Sequence, residues 1–190
     1  MDRQTSKALL TAGNERYVTE RVKGGSADGA RRRDLAENGQ HPFALIVGCS
    51  DSRVPPEVIF DCGLGELFII RTAGNVIDDV CLGSIEYGAE HLGIPLIVVL
   101  GHEDCGAVKA TVGGGEVHGC VKTIVEKIAV SYEKVSSEVD VQCACENENI
   151  RHTVAQICEN EIIAELINAG KTSVIGAKAC IRSGVVAFFE

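Results

Sequence analysis

Three residues that could take part in chemistry stand two positions apart, directly after an apolar run. In GCSDSRVPPE, residues 48–57, a thiol, a carboxylate and a guanidinium occur at Cys49, Asp51 and Arg53. The preceding residues FALIV are uninterruptedly apolar, which is typical of a strand covered on both faces. In an open parallel sheet, ligands bind at the carboxyl ends of the strands. We therefore expect the three groups at such an edge.

A second pair of reactive residues follows another apolar run. His102 ends PLIVVLGH, and Cys105 opens the helical pattern CGAVKATV, where a helix N-terminus favours thiolate over thiol. A histidine beside a cysteine is usually explained by packing, but Cys49 at an adjacent strand end favours a metal site. Two sulfurs and one imidazole form a set that zinc takes, and three protein ligands leave a fourth position for water, as in catalytic sites.

The elements that must position these residues form an alternating pattern. The apolar runs FALIVG, LFIIRT and PLIVVLGH are separated by helical patterns, notably at 78–93, which predicts βαβ units. Arg71 ends LFIIR and should lie at the same edge. We predict an α/β fold with a central, mostly parallel β-sheet flanked by helices, an N-terminal helical arm and a C-terminal helical region. Further helices are expected over 118–135 and 148–169, with a terminal strand or hairpin.

The length of 190 residues suits one domain with a substantial core. Within a single domain spanning 1–190, we assign 1–40 to the N-terminal arm and 41–112 to the zinc-binding α/β core. Residues 113–190 supply helices and terminal strands.

The charge balance restricts the partners. The formal net charge of −9 argues against nucleic acid and anionic membrane surfaces, since both select for a basic face. The charged N-terminus lacks the apolar segment of a secretory signal, and the apolar run IPLIVVLG is too short to span a bilayer. We predict a cytoplasmic protein.

The chain has nine cysteines, which cannot all be paired, and it is predicted to be intracellular. A disulfide framework is therefore not expected. No C-x-x-C occurs, which disfavours dithiol redox chemistry. Five cysteines have apolar neighbours and are expected to be small buried thiols: Cys62, Cys81, Cys120, Cys158 and Cys180.

Two separated motifs now allow a comparison with a family. The segment CSDSR at 49–53, together with HEDCG at 102–106, resembles the β-class carbonic anhydrases. The similarity continues through VPPEVIFDCGLGELFIIRTAGN, LGSIEYGAEHLG and RHTVAQI. It implies reversible, zinc-dependent hydration of carbon dioxide to bicarbonate and a proton. It also implies zinc ligation by Cys49, His102 and Cys105, and a catalytic dyad of Asp51 and Arg53.

Elementary chemistry gives the dyad a reason. Two thiolates neutralise Zn²⁺ and make it a weak Lewis acid, so the zinc-bound hydroxide that attacks carbon dioxide needs assistance. Asp51 could accept the hydrogen of that hydroxide, while Arg53, a bidentate partner, would hold the carboxylate away from zinc. The alternative for this pair is a turn-capping aspartate with a surface ion pair.

The resemblance also implies a substrate pocket and an assembly. The family lines its pocket with a Gln, a Phe and a Tyr, which by spacing resemble Gln40, Phe68 and Tyr87 here. Gln40 and the backbone N–H of Gly106 could each donate a hydrogen bond to a bicarbonate oxygen. Phe68 could instead be a core strand residue, and Tyr87 a helix residue at a subunit contact. The family forms dimers or larger even-numbered oligomers such as tetramers, with the pocket at the dimer interface and N-terminal helices wrapping the neighbour.

Two positions depart from the family pattern. Members with a regulatory bicarbonate site have Trp three residues before the first Cys, where this chain has Ile46. We therefore predict that Asp51 pairs with Arg53 and leaves zinc open to water at neutral to alkaline pH. His118, near the glycines at 113–115, could shuttle protons or be an ordinary loop residue.

Other functions stay open. A non-catalytic zinc protein would need a fourth permanent ligand, for which Asp51 is the local candidate. Relatives that act on carbonyl sulfide or carbon disulfide would use the same metal chemistry, and pocket shape would decide between substrates.

Overall fold

The computed structural model describes residues 1–189, whose centre is a five-stranded sheet. The strands are β1 (Ala44–Cys49), β2 (Leu67–Thr72), β3 (Ile97–His102), β4 (Val174–Ala179) and β5 (Val186–Phe189). Their order is β2-β1-β3-β4-β5, in which the first four run parallel and β5 is antiparallel. The predicted α/β fold with a mostly parallel sheet is confirmed.

In the part of the chain that the structure describes, eight α-helices surround the sheet. They are α1 (Arg3–Val18), α2 (Gly29–Asn38), α3 (Pro56–Ile59), α4 (Asp79–Glu86), α5 (Gly106–Gly113), α6 (Val121–Val135), α7 (Val141–Glu159) and α8 (Glu161–Asn168). A π-helical turn, Tyr87–His91, continues α4. Within residues 1–189, none of the helices combines the length and the apolarity needed to cross a bilayer.

The helical region predicted over 148–169 is helical, but its predicted start is wrong and it consists of two helices. Helix α7 begins seven residues earlier, where the side chain of Asp140 accepts the N–H of Cys143. The helix then breaks at Asn160, whose Oδ1 accepts the N–H of Ile163 at 3.1 Å and caps α8. Local side-chain capping therefore divides what the apolar pattern joins.

The sheet is buried unequally. All residues of β1 and β3 are buried, as their apolar runs predict. Alternate residues face two separate apolar layers, with Ile46 and Val98 on one side and Leu45 and Val99 on the other. Strand β2 is only half-buried, contrary to its equally apolar sequence, because it is the edge strand of the sheet.

The N-terminal helix α1 packs on its own chain. Asn14 is buried, its Nδ2 donates to the carbonyl of Gly184 at 2.8 Å, and its Oδ1 accepts the N–H of Val186 at 2.9 Å. Leu10 is also fully buried. The second helix of the arm, α2, has no buried residue.

All nine cysteines lie within residues 1–189 and are free there. Of the five expected to be buried, only Cys81 is, while Cys62, Cys158 and Cys180 are half-buried. The expectation is wrong for Cys120, which is exposed because it precedes α6 at the end of a surface loop.

Candidate metal centre

The structure brings Cys49, His102 and Cys105 together in one buried cluster. Cys49 ends β1, His102 ends the neighbouring β3, and Cys105 lies immediately before α5. Their ligand atoms lie within 4.8 Å of one another. A tetrahedral zinc with bonds of about 2.0–2.3 Å needs ligand atoms roughly 3.5–3.8 Å apart, so small side-chain adjustments would bring the three atoms to zinc.

The imidazole of His102 is oriented for metal binding. Its Nδ1 lies 2.7 Å from the carbonyl oxygen of Glu103. Because a carbonyl oxygen can only accept, Nδ1 carries the proton and Nε2 keeps a lone pair in the neutral ring. This Nε2 is buried and has no hydrogen-bond partner within residues 1–189. A buried polar atom without a partner is rare, and a metal ion would satisfy this one.

The two sulfurs influence each other. A hydrogen bond from the Cys105 thiol lowers the pKa of Cys49, while the same contact and burial raise the pKa of Cys105. The backbone N–H of Gly74 also donates to the Cys49 sulfur at 3.3 Å. A divalent cation bound by both sulfurs would replace the thiol proton of this contact.

The turn after β2 is shaped to reach the Cys49 sulfur. Gly74 has φ 69° and ψ 21°, a left-handed conformation that favours glycine. A Cβ at this position would lie 2.8 Å from Cδ1 of Ile128 and 3.0 Å from Cβ of Ala107. Only glycine therefore lets the backbone donate to the sulfur without displacing α5 and α6.

Asp51 and Arg53 form a bidentate pair beside the cluster. Arg53 Nε lies 2.9 Å from Oδ1 of Asp51, and Nη2 lies 2.6 Å from Oδ2. The guanidinium holds the pKa of the Asp51 carboxyl well below its usual range. Oδ2 of Asp51 is 3.9 Å from Nε2 of His102, so an ionised carboxylate faces the position where the three ligand atoms converge.

Arg71 fixes the backbone that carries this pair. Its Nε donates to the carbonyl oxygen of Cys49 at 2.7 Å, and its Nη2 donates to that of Asp51 at 2.6 Å. The sequence indicated that Arg71 lies at the sheet edge but suggested no role for it. Arg71 lies near the end of β2 and pairs in register with Gly48, the residue before Cys49, which explains the contact.

Of the residues predicted to line the substrate pocket, Gly106 lies beside the cluster, whereas Phe68 and Tyr87 do not. Gly106 begins α5 next to Cys105 and is exposed. Phe68 instead contacts Tyr87, with ring centroids 6.2 Å apart. It pairs in register with Leu45, four residues before Cys49, which is about 13 Å along the strand.

Neither aromatic residue is therefore brought to the cluster of its own chain. Tyr87 is 48% exposed. Gln40 is exposed after the end of α2, and His118 is exposed in the loop before α6.

Sequence reasoning missed a polar pair behind the cluster. Oε1 of Glu146 lies 3.4 Å from the backbone nitrogen of Cys105, and its Oε2 lies 2.8 Å from Nζ of Lys178. Burial works to lower the pKa of Lys178, but Glu146 more than offsets it and the pKa is raised, so the ammonium stays charged. No motif marks either residue, and 41 positions separate Glu146 from Cys105.

Comparison with known proteins identifies the family. The family model described as carbonic anhydrase matches residues 44–186, which contain every residue of the cluster. The chain belongs to the β-class carbonic anhydrases. Membership in this family of enzymes implies hydration of carbon dioxide.

The relatives include curated bacterial enzymes. Carbonic anhydrase 2 of Mycobacterium tuberculosis is 42% identical over 184 residues, which cover 92% of this chain and 87% of the relative. A carbonic anhydrase of Mycolicibacterium smegmatis is 42% identical over 186 residues, covering 93% of this chain and 88% of the relative. The similarity to this β-class chain is therefore not confined to the metal motifs.

Solved structures of the β class share the fold. The β-carbonic anhydrase CcaA superposes with a TM-score of 0.78 at 26% identity, covering 97% of this chain and 95% of that one. The Coccomyxa β-carbonic anhydrase in complex with acetazolamide gives 0.77 at 26% identity, covering 95% and 84%. A tetrameric β-carbonic anhydrase of Sordaria macrospora gives 0.77 at 23% identity, covering 99% and 98%.

Proposed function

We propose that this chain catalyses the reversible hydration of carbon dioxide with a zinc ion held by Cys49, His102 and Cys105. The observation that carries the proposal is the buried Nε2 of His102, which has no hydrogen-bond partner among residues 1–189, in a group whose ligand atoms, including the two cysteine sulfurs, lie within 4.8 Å of one another. The donor set suits zinc, because thiolate and imidazole are ligands that it prefers. Zinc bound by these residues would supply the Lewis acidity that lowers the pKa of water.

In this proposal Asp51 orients the attacking oxygen. As a carboxylate that only accepts hydrogen bonds, Asp51 would accept a hydrogen bond from the water-derived nucleophile and so direct its lone pair to the carbon of carbon dioxide. Arg53 holds both carboxylate oxygens of Asp51 and so keeps Asp51 from becoming a permanent fourth ligand. The N–H of Gly106, at the start of α5, donates to an oxygen of the bicarbonate that forms.

We further propose that the pocket is completed by a second copy of the chain. Phe68 and Tyr87 contact each other near the edge strand β2 and lie away from the cluster of their own chain. In a dimer or tetramer, these side chains and Gln40 would supply the apolar and amide walls that carbon dioxide and bicarbonate need. We expect this assembly to act in the cytoplasm.

A purely structural zinc site is the less favoured function. Such a site needs four permanent protein ligands, and the local candidate for the fourth, Asp51, is paired on both oxygens with Arg53. Carbonyl sulfide and carbon disulfide remain alternative substrates of the same centre.

A stopped-flow assay of carbon dioxide hydration tests the proposal. Zinc-replete protein should hydrate carbon dioxide, a chelated sample should not, and added zinc should restore the rate. Cys49→Ser and His102→Ala should lose zinc and turnover together. Zinc-replete protein without turnover would support the structural site, and turnover of carbon disulfide alone would reassign the substrate.

A further inference from the structure

A buried ion pair lies directly behind the metal ligands. Glu146 on α7 is 4% exposed, and the side chain of Lys178 on β4 is 13% exposed. Their charged atoms are 2.8 Å apart. Burying an ion pair costs desolvation that its attraction often fails to repay, so such a pair is weak evidence for stability. Its position therefore calls for an explanation other than the stability of the fold.

The second oxygen of Glu146 contacts the backbone of a metal ligand. Oε1 lies 3.4 Å from the backbone nitrogen of Cys105, at the long end of hydrogen-bonding distance. Nε2 of Gln142 donates to the same oxygen at 2.7 Å, which orients the carboxylate. The other oxygen is fixed by Lys178. The carboxylate thus has little freedom, and its free acceptor capacity is directed at Cys105.

The backbone at Cys105 is held on both sides, and Glu146 adds the contact to its N–H. The carbonyl oxygen of Cys105 accepts the N–H of Lys109 at 2.9 Å, and that of Asp104 accepts from Nη2 of Arg53 at 3.2 Å. Cys105 precedes α5 without a side-chain cap. A sulfur lies only two bonds from its Cα, so the orientation of the Cys105 backbone decides where that sulfur points. An acceptor on the Cys105 N–H therefore adds a restraint on the position of the ligand atom.

We propose that Glu146 is a positioning residue for the metal centre, which holds the Cys105 sulfur in place through the Cys105 N–H, and that Lys178 holds Glu146. The inference rests on the proposed function, since it assumes that Cys105 ligates zinc. Outer partners of metal ligands commonly contribute 10- to 100-fold in metal affinity. Glu146 and Lys178 also line, with Arg53 and Asp104, a cavity of about 570 Å³.

Two double variants separate the hydrogen bond from the charges. Glu146→Gln with Lys178→Met removes both charges but keeps an oxygen acceptor at the Cys105 N–H. Glu146→Met with Lys178→Met removes the charges and the acceptor with a side chain of similar length. Glu148→Gln is the control, because Glu148 lies on the same helix and pairs instead with Lys134 at 2.9 Å.

Zinc affinity is measured by competition with a chromophoric chelator, and ligand geometry by the sulfur-to-cobalt charge-transfer bands of Co²⁺-substituted protein. The Met/Met variant should lose 10- to 100-fold in zinc affinity relative to the Gln/Met variant and should show shifted bands. Glu148→Gln should bind zinc much as the wild type does. Gln/Met should bind zinc less tightly than the wild type, because Lys178 no longer holds the side chain at position 146, but more tightly than Met/Met. Equal zinc affinity and identical bands in the two double variants would overturn the proposal.

A third variant keeps the test decisive if Met/Met does not fold by circular dichroism. Glu146→Asp keeps the charge near Lys178 but withdraws the oxygen from Cys105, so it should also weaken zinc binding. Unchanged zinc affinity in Glu146→Asp would contradict the inference. Wild-type protein that binds no zinc would instead contradict the proposed function, which makes the two failures distinguishable.

Discussion

In the proposed function, the pairing of Asp51 with Arg53 decides whether a bound zinc would be catalytic or closed. A carboxylate held on both oxygens by a guanidinium cannot easily turn to a neighbouring metal, yet it remains ionised because the guanidinium lowers its pKa. The same interaction would thus keep the fourth zinc position open and keep a hydrogen-bond acceptor beside it.

Replacing Asp51 by Asn should separate metal binding from catalysis. The amide keeps the size of the side chain but weakens its interaction with Arg53 and is a poorer hydrogen-bond acceptor for the nucleophile. We expect Asp51→Asn to keep zinc and to lose at least about 100-fold in kcat, the scale on which a single oriented hydrogen-bonding group in an active site contributes. Stopped-flow hydration and zinc analysis on one sample check this.

Asp34→Asn is a matched control for that substitution. Asp34 also pairs with a nearby arginine, Arg31, at 2.8 Å, but on the exposed helix α2. Asp34→Asn should leave the rate of carbon dioxide hydration unchanged. A normal rate in Asp51→Asn would remove Asp51 from the mechanism.

The sequence predicted that Cys49, His102 and Cys105 lie together, as they do in the structure; that they bind a metal stays a prediction. Cys49 and His102 could be placed together because both end buried apolar runs, and the ends of parallel strands meet at one edge. Glu146 and Lys178 could not be found, because a carboxylate on a helix and a lysine in a strand carry no signal before their elements are docked.

Among the secondary-structure elements, the turn after β2 links the backbone conformation of Gly74 to the position of the Cys49 sulfur. Gly74→Ala would place a methyl group 2.8 Å from Ile128 in a left-handed backbone conformation. We expect a loss of about 1–3 kcal/mol in the free energy of unfolding and weaker zinc binding, because the Gly74 N–H moves away from the Cys49 sulfur. Urea denaturation and zinc titration measure the two effects.

Gly83→Ala controls for the change of residue type. Gly83 lies in α4, and within residues 1–189 no atom outside the backbone of that helix comes within 4 Å of the point that a Cβ would occupy. Alanine should therefore stabilise the protein by about 0.5–1 kcal/mol. If both variants had the same effect on stability and zinc, the steric account of Gly74 would be wrong.

The N-terminal helix is anchored by a buried carboxylate whose effect depends on pH. Burial raises the pKa of Asp61, but Arg16 and the backbone N–H groups of Lys23 and Gly24 more than offset this and lower it. A lowered folded-state pKa stabilises the fold above the ordinary value of about 3.9, and this contribution is lost as pH falls through the folded value.

Asp61→Asn should therefore lower the urea midpoint at pH 7, and the difference from the wild type should shrink at pH values below about 4, near the ordinary pKa of Asp. Asparagine tolerates the left-handed φ of 48° at this position, so backbone strain is not introduced. A difference that stays constant across this pH range would contradict the role of the charge.

The order of the helices and strands could be predicted from the sequence better than their burial and their boundaries. Strand and helix alternation gave the parallel sheet, since each apolar run is too short for a helix. The half-exposed state of β2 was not predictable, because an apolar sequence does not indicate which strand lies at the edge of the sheet. The break between α7 and α8 was not predictable either, because Asn160 acts as a cap only once the chain turns there.

For the whole molecule, the separation of Phe68 and Tyr87 from the metal cluster predicts that activity depends on assembly. We expect the zinc-loaded chain to sediment as an even-numbered oligomer and to lose specific activity on dilution below the dissociation constant. Analytical ultracentrifugation combined with hydration assays over a concentration series measures both. A fully active monomer would show that one chain completes its own pocket.

Catalysis at this site requires that three protein ligands leave one zinc position open. A crystal structure of the zinc-loaded protein near pH 8 would show whether that position is open. We predict zinc bound to Cys49, His102 and Cys105, with Asp51 still paired with Arg53 and not bonded to the metal. Zinc elsewhere, or Asp51 as the fourth ligand at that pH, would contradict the account.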